Sequence, residues 1–441
     1  MEIERFAPPA TSWFQSSRPH TGRCGYRHQL QLCLSLLSFH PAEDSVIPCC
    51  KDKPCFSFTC FGLILAGHLF HSIPMLIKNV IAELAFIAPP SLQESYDNAG
   101  LITGHPDWTC QGVLCTLDAT EEVILEAISK GCNLVVAHHP ILFRGVKKMN
   151  GKNYVEKAII TAIKNDVAIY ACHTNLDNVA TGVNKKIADK LGLENTSILL
   201  PKEQQLLQLI TFVPTTHLEQ VRSALFLAGA GTIGLYHEAS FGVEGTGTFK
   251  GMEGANPTIG KVGERTAVAE TRLEVVVPTH LKGQVHHALI ESHPYEEVAH
   301  SWIMLLNERS DIGSGLIGDL PSPMEEKAFL QQLTTTFSLQ VIRHTPLLRK
   351  QVSRVAVCGG AGSFLLENAL AAGADFFITA DLKYHEFFDA NGRMVVADIG
   401  HWESEQFTPE LLVDVLQSKF PTFAVLKSGI DTNPVQYFSG K

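Results

Sequence analysis

Hydrophobic runs alternate with helix signals in the first third of the chain. Val113–Leu117 is an apolar run typical of a buried strand, and Thr120 is placed to cap the helix that follows it. A second apolar run, Leu134–Ala137, ends directly at His138 and His139. Strands separated by helices in this way predict a parallel sheet that is covered on both faces.

The second half of the chain repeats this order. Val355–Cys358 predicts a strand, Phe364–Ala372 a helix, and Phe376–Ile378 the next strand. Gly131 and Gly373 take the same helix-ending position in the two copies. Two related halves predict two α/β lobes around a pseudo-twofold axis, with ligands bound between them.

A third strand is predicted in each half, and each is followed by a histidine and, four residues later, by an acidic residue. These are Val167–Ala171 with His173 and Asp177, and Met394–Ala397 with His401 and Glu405. The carboxyl ends of parallel strands meet at one edge of a sheet, where open α/β sheets bind their ligands. We therefore expect these side chains to share a crevice with the histidine pair.

Three imidazoles and two carboxylates form the candidate metal site: His138, His139, Asp177, His401 and Glu405. This mixed nitrogen and oxygen set suits Zn²⁺, Fe²⁺, Mn²⁺ or Co²⁺, whereas Ca²⁺ and Mg²⁺ prefer more oxygen ligands. Five side chains suffice for two divalent ions that share a bridging carboxylate and keep positions for water. Two such ions about 3.5–4 Å apart activate a bridging water and stabilise a developing oxyanion, which is the chemistry of hydrolysis.

Residues 204–308, between the two halves, follow a different pattern. Leu206–Val213 and Leu273–Val277 predict strands, each followed by a proline and a helix, and the two pieces have similar sequences. A repeated βαβ unit of this size predicts an inserted ferredoxin-like α+β domain. The stretch from Gly242 to Gly263 is rich in glycine and is predicted to be a loop.

Residues 1–74 show no sustained helical or strand periodicity, and the first amphipathic helix begins at Met75. We expect the working protein to start at Met75, with residues 1–74 a mis-set start or a disordered extension. The apolar run Phe56–Phe70 leaves a signal anchor as the alternative. The predicted domains are therefore 75–203 for the first lobe, 204–308 for the insert and 309–441 for the second lobe.

Composition excludes several classes of partner. The 441 residues are 45% hydrophobic, which is enough for two or three packed domains. The net charge of −10 gives no electrostatic footprint for nucleic acid, and no apolar run reaches the 18 residues that a membrane span needs. The cysteines after residue 75 lie mostly in apolar runs, as in a reducing compartment. These features predict a cytoplasmic protein that binds neither nucleic acid nor membrane.

Five motifs in order make the sequence recognisable. They are Ser95-Tyr-Asp-Asn-Ala-Gly-Leu101, Ala137-His-His-Pro140, His173-Thr-Asn-Leu-Asp177, Thr379-Ala-Asp-Leu-Lys-Tyr-His385 and Gly400-His-Trp-Glu-Ser-Glu405. Over residues 75–441 the chain resembles the NIF3-like family of dinuclear-metal proteins, also called GTP cyclohydrolase 1 type 2 homologues. The metal ligands of that family map without substitution onto the five candidate residues.

The resemblance has further implications. It implies a NIF3-like fold, two metal ions and a ring-shaped homohexamer. The insert, with His293-Pro-Tyr-Glu296, resembles CutA and PII-type modules, and such an insert is found in many bacterial members. Tyr96, Ala99 and Ile102 stand where members often carry Trp, Val and Gln, at positions of the apolar wall.

Further residues near the site have two interpretations each. His173 is a candidate catalytic residue, as a general base or a partner of a ligand; the alternative is packing at a strand end. Asp97 and Asn98 line the cleft or form a turn before Gly100. Four residues after the strand Phe376–Ile378 also have two interpretations: at least one of them binds substrate, or they form a capped helix start. They are Asp381, Lys383, Tyr384 and His385.

Two glycine-rich stretches suggest phosphate binding. Gly313–Gly318 matches the dinucleotide fingerprint as text, but Pro321 and Pro323 prevent the helix that the fingerprint needs, so we reject it. Gly359–Ser363 lies between a strand and a helix. Its amides bind an anion there, or the segment is simply a tight turn.

The leading hypothesis is a cytoplasmic metal-dependent hydrolase in which an activated water attacks an electrophilic carbon of a small, nucleotide-like or heterocyclic substrate. The alternative is a metal-handling or regulatory protein that binds divalent cations without turnover and senses a ligand through its insert. Open coordination positions favour the enzyme, and the large insert favours the alternative.

Overall fold

The computed structural model describes residues 74–438. The expectations made above for the N-terminal extension, including the run Phe56–Phe70, fall outside the described residues. None of the described helices is long and apolar enough to cross a membrane.

The described chain contains three β-sheets with helices between them. The elements before the insert are α1 (Ile77–Ile87), β1 (Gly100–Thr103), β2 (Val113–Asp118), α2 (Glu121–Ser129), β3 (Leu134–His139), α3 (Tyr154–Lys164), β4 (Ala168–Ala171), α4 (Thr174–Asp177), α5 (Val183–Leu191) and β5 (Glu194–Pro201). The insert contains β6 (Leu206–Pro214), α6 (Leu218–Leu227), β7 (Ser240–Lys250), β8 (Arg265–Pro278), α7 (Lys282–Ser292) and β9 (His300–Leu305). After it come β10 (Gly313–Glu325), α8 (Glu326–Phe337), β11 (Arg343–His344), β12 (Gln351–Ala361), α9 (Leu366–Ala371), β13 (Phe376–Ala380), β14 (Val395–Asp398), α10 (His401–Glu405), α11 (Thr408–Lys419) and β15 (Val425–Lys427).

The predicted α/β class is confirmed. The first sheet has the order β1-β4-β3-β2-β15, with β4, β3, β2 and β15 parallel and β1 antiparallel at the edge. The second sheet has the order β11-β14-β13-β12-β10-β5, with β12, β13 and β14 parallel. The sequence predicted two βαβ units, β2-α2-β3 and β12-α9-β13. They lie in separate sheets, and within each unit the two strands are parallel neighbours.

Local signals account for the helix ends in both units. The Thr120 hydroxyl accepts a hydrogen bond from the Val123 amide and caps α2. Gly131 and Gly373 follow α2 and α9 with φ of +71° and +74°, a left-handed conformation that favours glycine. Each helix therefore ends where the next strand must begin.

The two halves exchange strands. β5 precedes the insert in sequence but pairs with β10 in the second sheet, and β15, near the C-terminal end of the described chain, pairs with β2 in the first. α11 contacts β2 and α5, and α5 contacts β12. One continuous hydrophobic core runs through both sheets, from Ile77 to Val425. Each large apolar side chain buried there stabilises the fold by about 1.5–3 kcal/mol, so the crevice between the sheets has a rigid frame.

The insert has its own core and sheet. Its elements follow the order β6-α6-β7-β8-α7-β9, and its antiparallel sheet has the order β7-β8-β6-β9. Both helices contribute to a separate hydrophobic cluster with β6 and β8, through residues such as Val221 of α6 and Val285 of α7.

The prediction of a loop from Gly242 to Gly263 is wrong for the first part of this stretch. Residues 240–250 form β7, which pairs along its whole length with β8; the loop is confined to 251–264. Nearly all of β7 is exposed, so the sequence has no buried alternation to mark a strand. Gly242 and Gly247 face Thr271 and Glu270 of β8, where a side chain at either position would crowd its neighbour. Pairing with β8 overrides the low strand propensity of glycine.

Gly313–Gly318 lies inside β10, which pairs with both β5 and β12. The segment is a strand and not a phosphate-binding turn, in agreement with the rejection of the dinucleotide fingerprint.

Candidate metal centre

The five predicted metal ligands come together in the crevice between the two sheets. His138 and His139 end β3, Asp177 ends α4, and His401 and Glu405 are the first and last residues of α10. Glu405 lies in the middle: its Oε2 is 2.9 Å from His139 Nε2 and 3.2 Å from His401 Nε2. Its Oε1 is 3.8 Å from His138 Nε2, which lies 3.7 Å from Asp177 Oδ1. Every predicted ligand thus has an atom at the same centre.

Four histidines around this centre are held by their Nδ1 atoms and direct Nε2 inward. The Nδ1 partners are the Cys172 carbonyl for His138 (2.9 Å), Asp118 for His139 (2.8 Å), Asp97 for His173 (2.8 Å) and Asp381 for His401 (2.7 Å). An acceptor at Nδ1 fixes the ring and leaves Nε2 as the nitrogen that binds a cation once it is deprotonated, as is typical of metal-binding histidines.

Two buried polar atoms at the centre have no hydrogen-bond partner among the described residues: His138 Nε2 and Asp177 Oδ1. An unpaired buried polar atom costs free energy, so native structures rarely keep one without a ligand or an ion. An imidazole nitrogen and a carboxylate oxygen that face each other are a suitable donor pair for a divalent cation. The residues present therefore fit a metal.

Two overlapping groups of ligand atoms fit a cation. One comprises His138, His139 and His173, and the other comprises His139, His401 and Glu405; within each group the ligand atoms lie within 4.8 Å of one another. His139 belongs to both. The structure adds His173 to the set of possible ligands, a role that the sequence analysis did not assign to it.

The pKa shifts in the cluster show how its negative charges are balanced when no cation is bound. Burial and the charge of Glu405 raise the pKa of Asp177. Burial would also raise the pKa of Glu405, but hydrogen bonds from the surrounding histidines lower it well below its ordinary value. Burial opposes charge on His139 and His401, yet their carboxylate partners raise the pKa to about 9 for His139 and about 11 for His401. Without a cation, protons on these imidazoles neutralise the carboxylates.

Asp118 is a site residue that the sequence analysis missed. It ends β2 and is the register partner of His139 on the adjacent β3. The available signal was an acidic residue at the carboxyl end of a buried strand, at the edge where His139 was already expected.

Asp97 does more than form a turn. Its side chain is fully buried and accepts hydrogen bonds from His173 Nδ1 and from the amide and hydroxyl of Thr174. Burial would raise the pKa of Asp97, but these hydrogen bonds lower it far below its ordinary range. An ionised Asp97 holds His173 against the metal centre.

The residues after β13 lie partly at the metal centre and partly in an exposed turn, and substrate binding by any of them stays a prediction. Asp381 contacts His401 and lines a cavity beside the cluster. Lys383, Tyr384 and His385 are exposed, and Tyr384 starts a 3₁₀ turn that the Lys383 amide caps by donating to Glu386. These three positions match a capped helix start.

Gly360 supports the cluster through its lack of a side chain. It has φ of +61°, and a Cβ there would lie 2.5 Å from Glu405 Oε1. The amides of Gly359 and Gly360 donate to Asn184 Oδ1 and Ser404 Oγ. These two amides are therefore used within the protein. Residues 359–361 are the last part of β12 and not a tight turn, and the strand register with β13 shifts there, beside Glu405.

A cavity of about 790 Å³ opens from the cluster to the surface. Four exposed aromatic side chains line it: Tyr96, Phe143, Tyr154 and Phe364. Phe143 and Tyr154 also line a neighbouring cavity of about 480 Å³, together with Arg144, Lys147 and Lys148. In the described part of the chain, none of these three cations forms a salt bridge.

Comparison with known proteins finds similarity along nearly the whole described chain. The family model for Duf34/NIF3 (NGG1p interacting factor 3) matches residues 75–434. A GTP cyclohydrolase 1 type 2 homolog of Halalkalibacterium halodurans is 41% identical over 356 residues, which cover 79% of this chain and 95% of the relative. One from Bacillus subtilis is 37% identical and covers 82% of this chain and 98% of the relative.

Solved structures give the same result. A Bacillus cereus protein related to NIF3 superposes with a TM-score of 0.72 at 35% identity and covers 82% of this chain and 99% of its own. A Staphylococcus aureus protein superposes with a TM-score of 0.67 at 29% identity and covers 83% of this chain and 99% of its own.

Proposed function

The chain belongs to the Duf34/NIF3 family, and from this premise we propose that it binds two divalent metal ions and is a metal-dependent hydrolase of a nucleotide-like small molecule. The observation that carries the proposal is the buried pair of His138 Nε2 and Asp177 Oδ1, which face each other at 3.7 Å and have no hydrogen-bond partner among the described residues. The relatives from H. halodurans and B. subtilis are named GTP cyclohydrolase 1 type 2 homologs, which supports a heterocyclic substrate.

We assign the two ions to His138, His139, Asp177, His401 and Glu405. Glu405 would help to hold both ions, because its Oε1 faces His138 while its Oε2 faces His139 and His401. Zn²⁺, Fe²⁺, Mn²⁺ and Co²⁺ match this donor set. Bound ions of this kind activate water and stabilise negative charge on an oxygen of the substrate.

His173 is the proposed catalytic residue. Its ring centroid lies 5.2 Å from that of His138 and 5.5 Å from that of His139, at the wall of the large cavity. Asp97 accepts from Nδ1, so the Nε2 lone pair faces the centre and is able to take a proton from water or return it to a leaving group.

The side chains that line the cavity support a planar, anionic substrate. The exposed rings of Phe143 and Tyr154 at its mouth offer faces on which a heterocycle can stack. Arg144, Lys147 and Lys148 lie just beyond these rings and are available to phosphate oxygens. A substrate would occupy both cavities if its heterocyclic base lay near the metals and its phosphate chain lay beside Arg144, Lys147 and Lys148.

The insert and the assembly are further parts of the proposal. The βαββαβ order of the insert and its β7-β8-β6-β9 sheet support a ferredoxin-like module of the CutA and PII type. Domain boundaries at 75–203, 204–308 and 309–441, a homohexamer and a cytoplasmic location stay predictions. Light scattering on the purified protein tests the hexamer.

Turnover by the metal-loaded protein tests the hydrolase. The protein is stripped of metal, loaded separately with Zn²⁺, Mn²⁺, Fe²⁺ or Co²⁺, and assayed against GTP and a panel of phosphorylated heterocycles. We expect product with at least one metal and none with the stripped protein. Binding of metal without turnover on any substrate, with transfer of the metal to an acceptor protein, would favour the metal-handling alternative, which the separately packed insert also fits.

A further inference from the structure

We infer that Thr432 is a positioning residue for the metal centre: its hydroxyl holds the carboxylate of Asp118, which in turn orients His139. The inference rests on the proposed metal binding and adds to it the segment 428–437 that follows β15. We call residues 428–437 the C-terminal segment.

A short chain of hydrogen bonds links Thr432 to the centre. The Thr432 hydroxyl donates to Asp118 Oδ2 at 2.6 Å, and Asp118 Oδ1 accepts from His139 Nδ1 at 2.8 Å. Each carboxylate oxygen of Asp118 thus has one partner, which fixes its plane. Since Nδ1 of His139 is held in that plane, the direction of its Nε2 towards the metal centre depends on the same contact.

The direction of the Thr432 hydroxyl is itself determined. Its Oγ1 accepts from the indole Nε1 of Trp402 at 3.3 Å while its proton goes to Asp118. Trp402 follows His401 directly on α10, whereas Asp118 ends β2 in the first sheet. One hydroxyl group therefore joins α10, which supplies His401 and Glu405, to Asp118, which holds His139.

Contacts on both sides of Thr432 hold the C-terminal segment in place. Near its start, Ser428 Oγ and the Gly429 amide donate to the Glu126 carboxylate on α2. Beyond Thr432, Asn433 Nδ2 donates to Glu403 Oε1 on α10 at 3.1 Å. The segment thus crosses from one lobe to the other at the metal centre.

The C-terminal segment also forms one wall of a second opening to the cluster. A cavity of about 360 Å³ is lined by Asp118, His139 and His401 on one side and by Asn433 and Tyr437 on the other. Without the Thr432 hydroxyl, Asp118 Oδ2 would face this cavity and bind water instead. The carboxylate would then be free to rotate, and His139 would lose its fixed orientation.

Titration with Co²⁺ tests the inference. Thr432→Val removes the hydroxyl at nearly constant volume, Thr432→Ser keeps it, and Asp118→Asn changes the next link of the chain. Thr161→Val is the matched control, because the same substitution there removes a hydroxyl–carboxylate contact, from Thr161 to Glu121, that lies outside the C-terminal segment and does not lead to a histidine. Affinity is measured against a competing chelator, and the visible Co²⁺ spectrum reports the ligand geometry.

We expect Thr432→Val to weaken the binding of one Co²⁺ by about 3–10-fold and to change its visible spectrum, and Asp118→Asn to weaken it by about 10–100-fold. Thr432→Ser and Thr161→Val should match the wild type. Wild-type affinity and spectrum in Thr432→Val, with normal binding by the parent protein, would overturn this inference alone. Failure of the parent protein to bind Co²⁺ would overturn the proposed function as well. Thr432→Ala replaces the valine variant if the latter does not fold.

Discussion

His138 Nε2 lies 3.7 Å from Asp177 Oδ1, and both atoms are buried without a hydrogen-bond partner in the described chain. The pKa of Asp177 is raised by its burial and by the charge of Glu405. A fold with a continuous core keeps two such groups together only if something else compensates their desolvation. A divalent cation between them would do so.

Metal binding should release protons. The pKa values of about 9 for His139 and about 11 for His401 mean that both imidazoles are protonated at pH 7.5 before metal binds. A metal ligand must be deprotonated, so binding there should release about two protons, and the apparent affinity should fall as the pH is lowered. Calorimetry in buffers of different ionisation enthalpy measures the number released. A binding heat that is independent of the buffer would contradict the assignment of these two histidines.

Loss of a proposed ligand should remove metal without unfolding the protein. We expect His139→Ala and Glu405→Gln each to bind at least one ion fewer per chain, because His139 belongs to both ligand groups and Glu405 lies between them. Metal content is measured by elemental analysis after dialysis.

The matched control for these variants is Glu410→Gln on α11, where the carboxylate pairs with Lys186 at the surface. In the wild type and this control, metal at 100 times its Kd should stabilise the fold by about 2.7 kcal/mol. That gain should shrink in the two ligand variants. Full metal occupancy in either would refute its assignment.

His173→Gln distinguishes a catalytic residue from a metal ligand. If His173 moves protons, the variant should keep the wild-type metal content and lose turnover by about 10²–10⁴-fold. Asp97→Asn should also reduce turnover, because a neutral amide accepts the hydrogen bond from His173 Nδ1 less strongly than a carboxylate and holds this tautomer less firmly. Metal content and the rate on the best substrate are measured together. A loss of one ion in His173→Gln would make His173 a ligand, as its place beside His138 and His139 also permits.

The sequence was informative where local patterns determine position. The run Leu134–Ala137 had to be a buried strand, so His138 and His139 had to emerge at the crevice edge, and the same reasoning placed His401 and Glu405. These predictions needed only the geometry of parallel strands.

The parts that sequence reasoning missed depend on contacts between distant segments. β5 and β15 join the sheet of the opposite half, and β7 is a strand only because β8 lies beside it. Asp118 and Thr432 are 314 positions apart and gain their importance from one hydrogen bond. No local periodicity marks such pairs, because each residue is unremarkable within its own segment.

Gly360→Ala should disturb the metal centre, and Gly373→Ala provides the matched control. Both glycines have a left-handed backbone, with φ of +61° and +74°, so an alanine at either position costs about 1–2 kcal/mol of backbone strain. A Cβ at Gly373 has no described atom within 4 Å, whereas a Cβ at Gly360 would lie 2.5 Å from Glu405 Oε1 and 3.3 Å from His401 Cε1. Both variants should therefore lose similar stability from strain, and only Gly360→Ala should also move Glu405 and lose metal. Urea unfolding of the stripped proteins measures the first effect and elemental analysis the second. Equal metal content in the two variants would show that Glu405 does not need its present position to bind the ions.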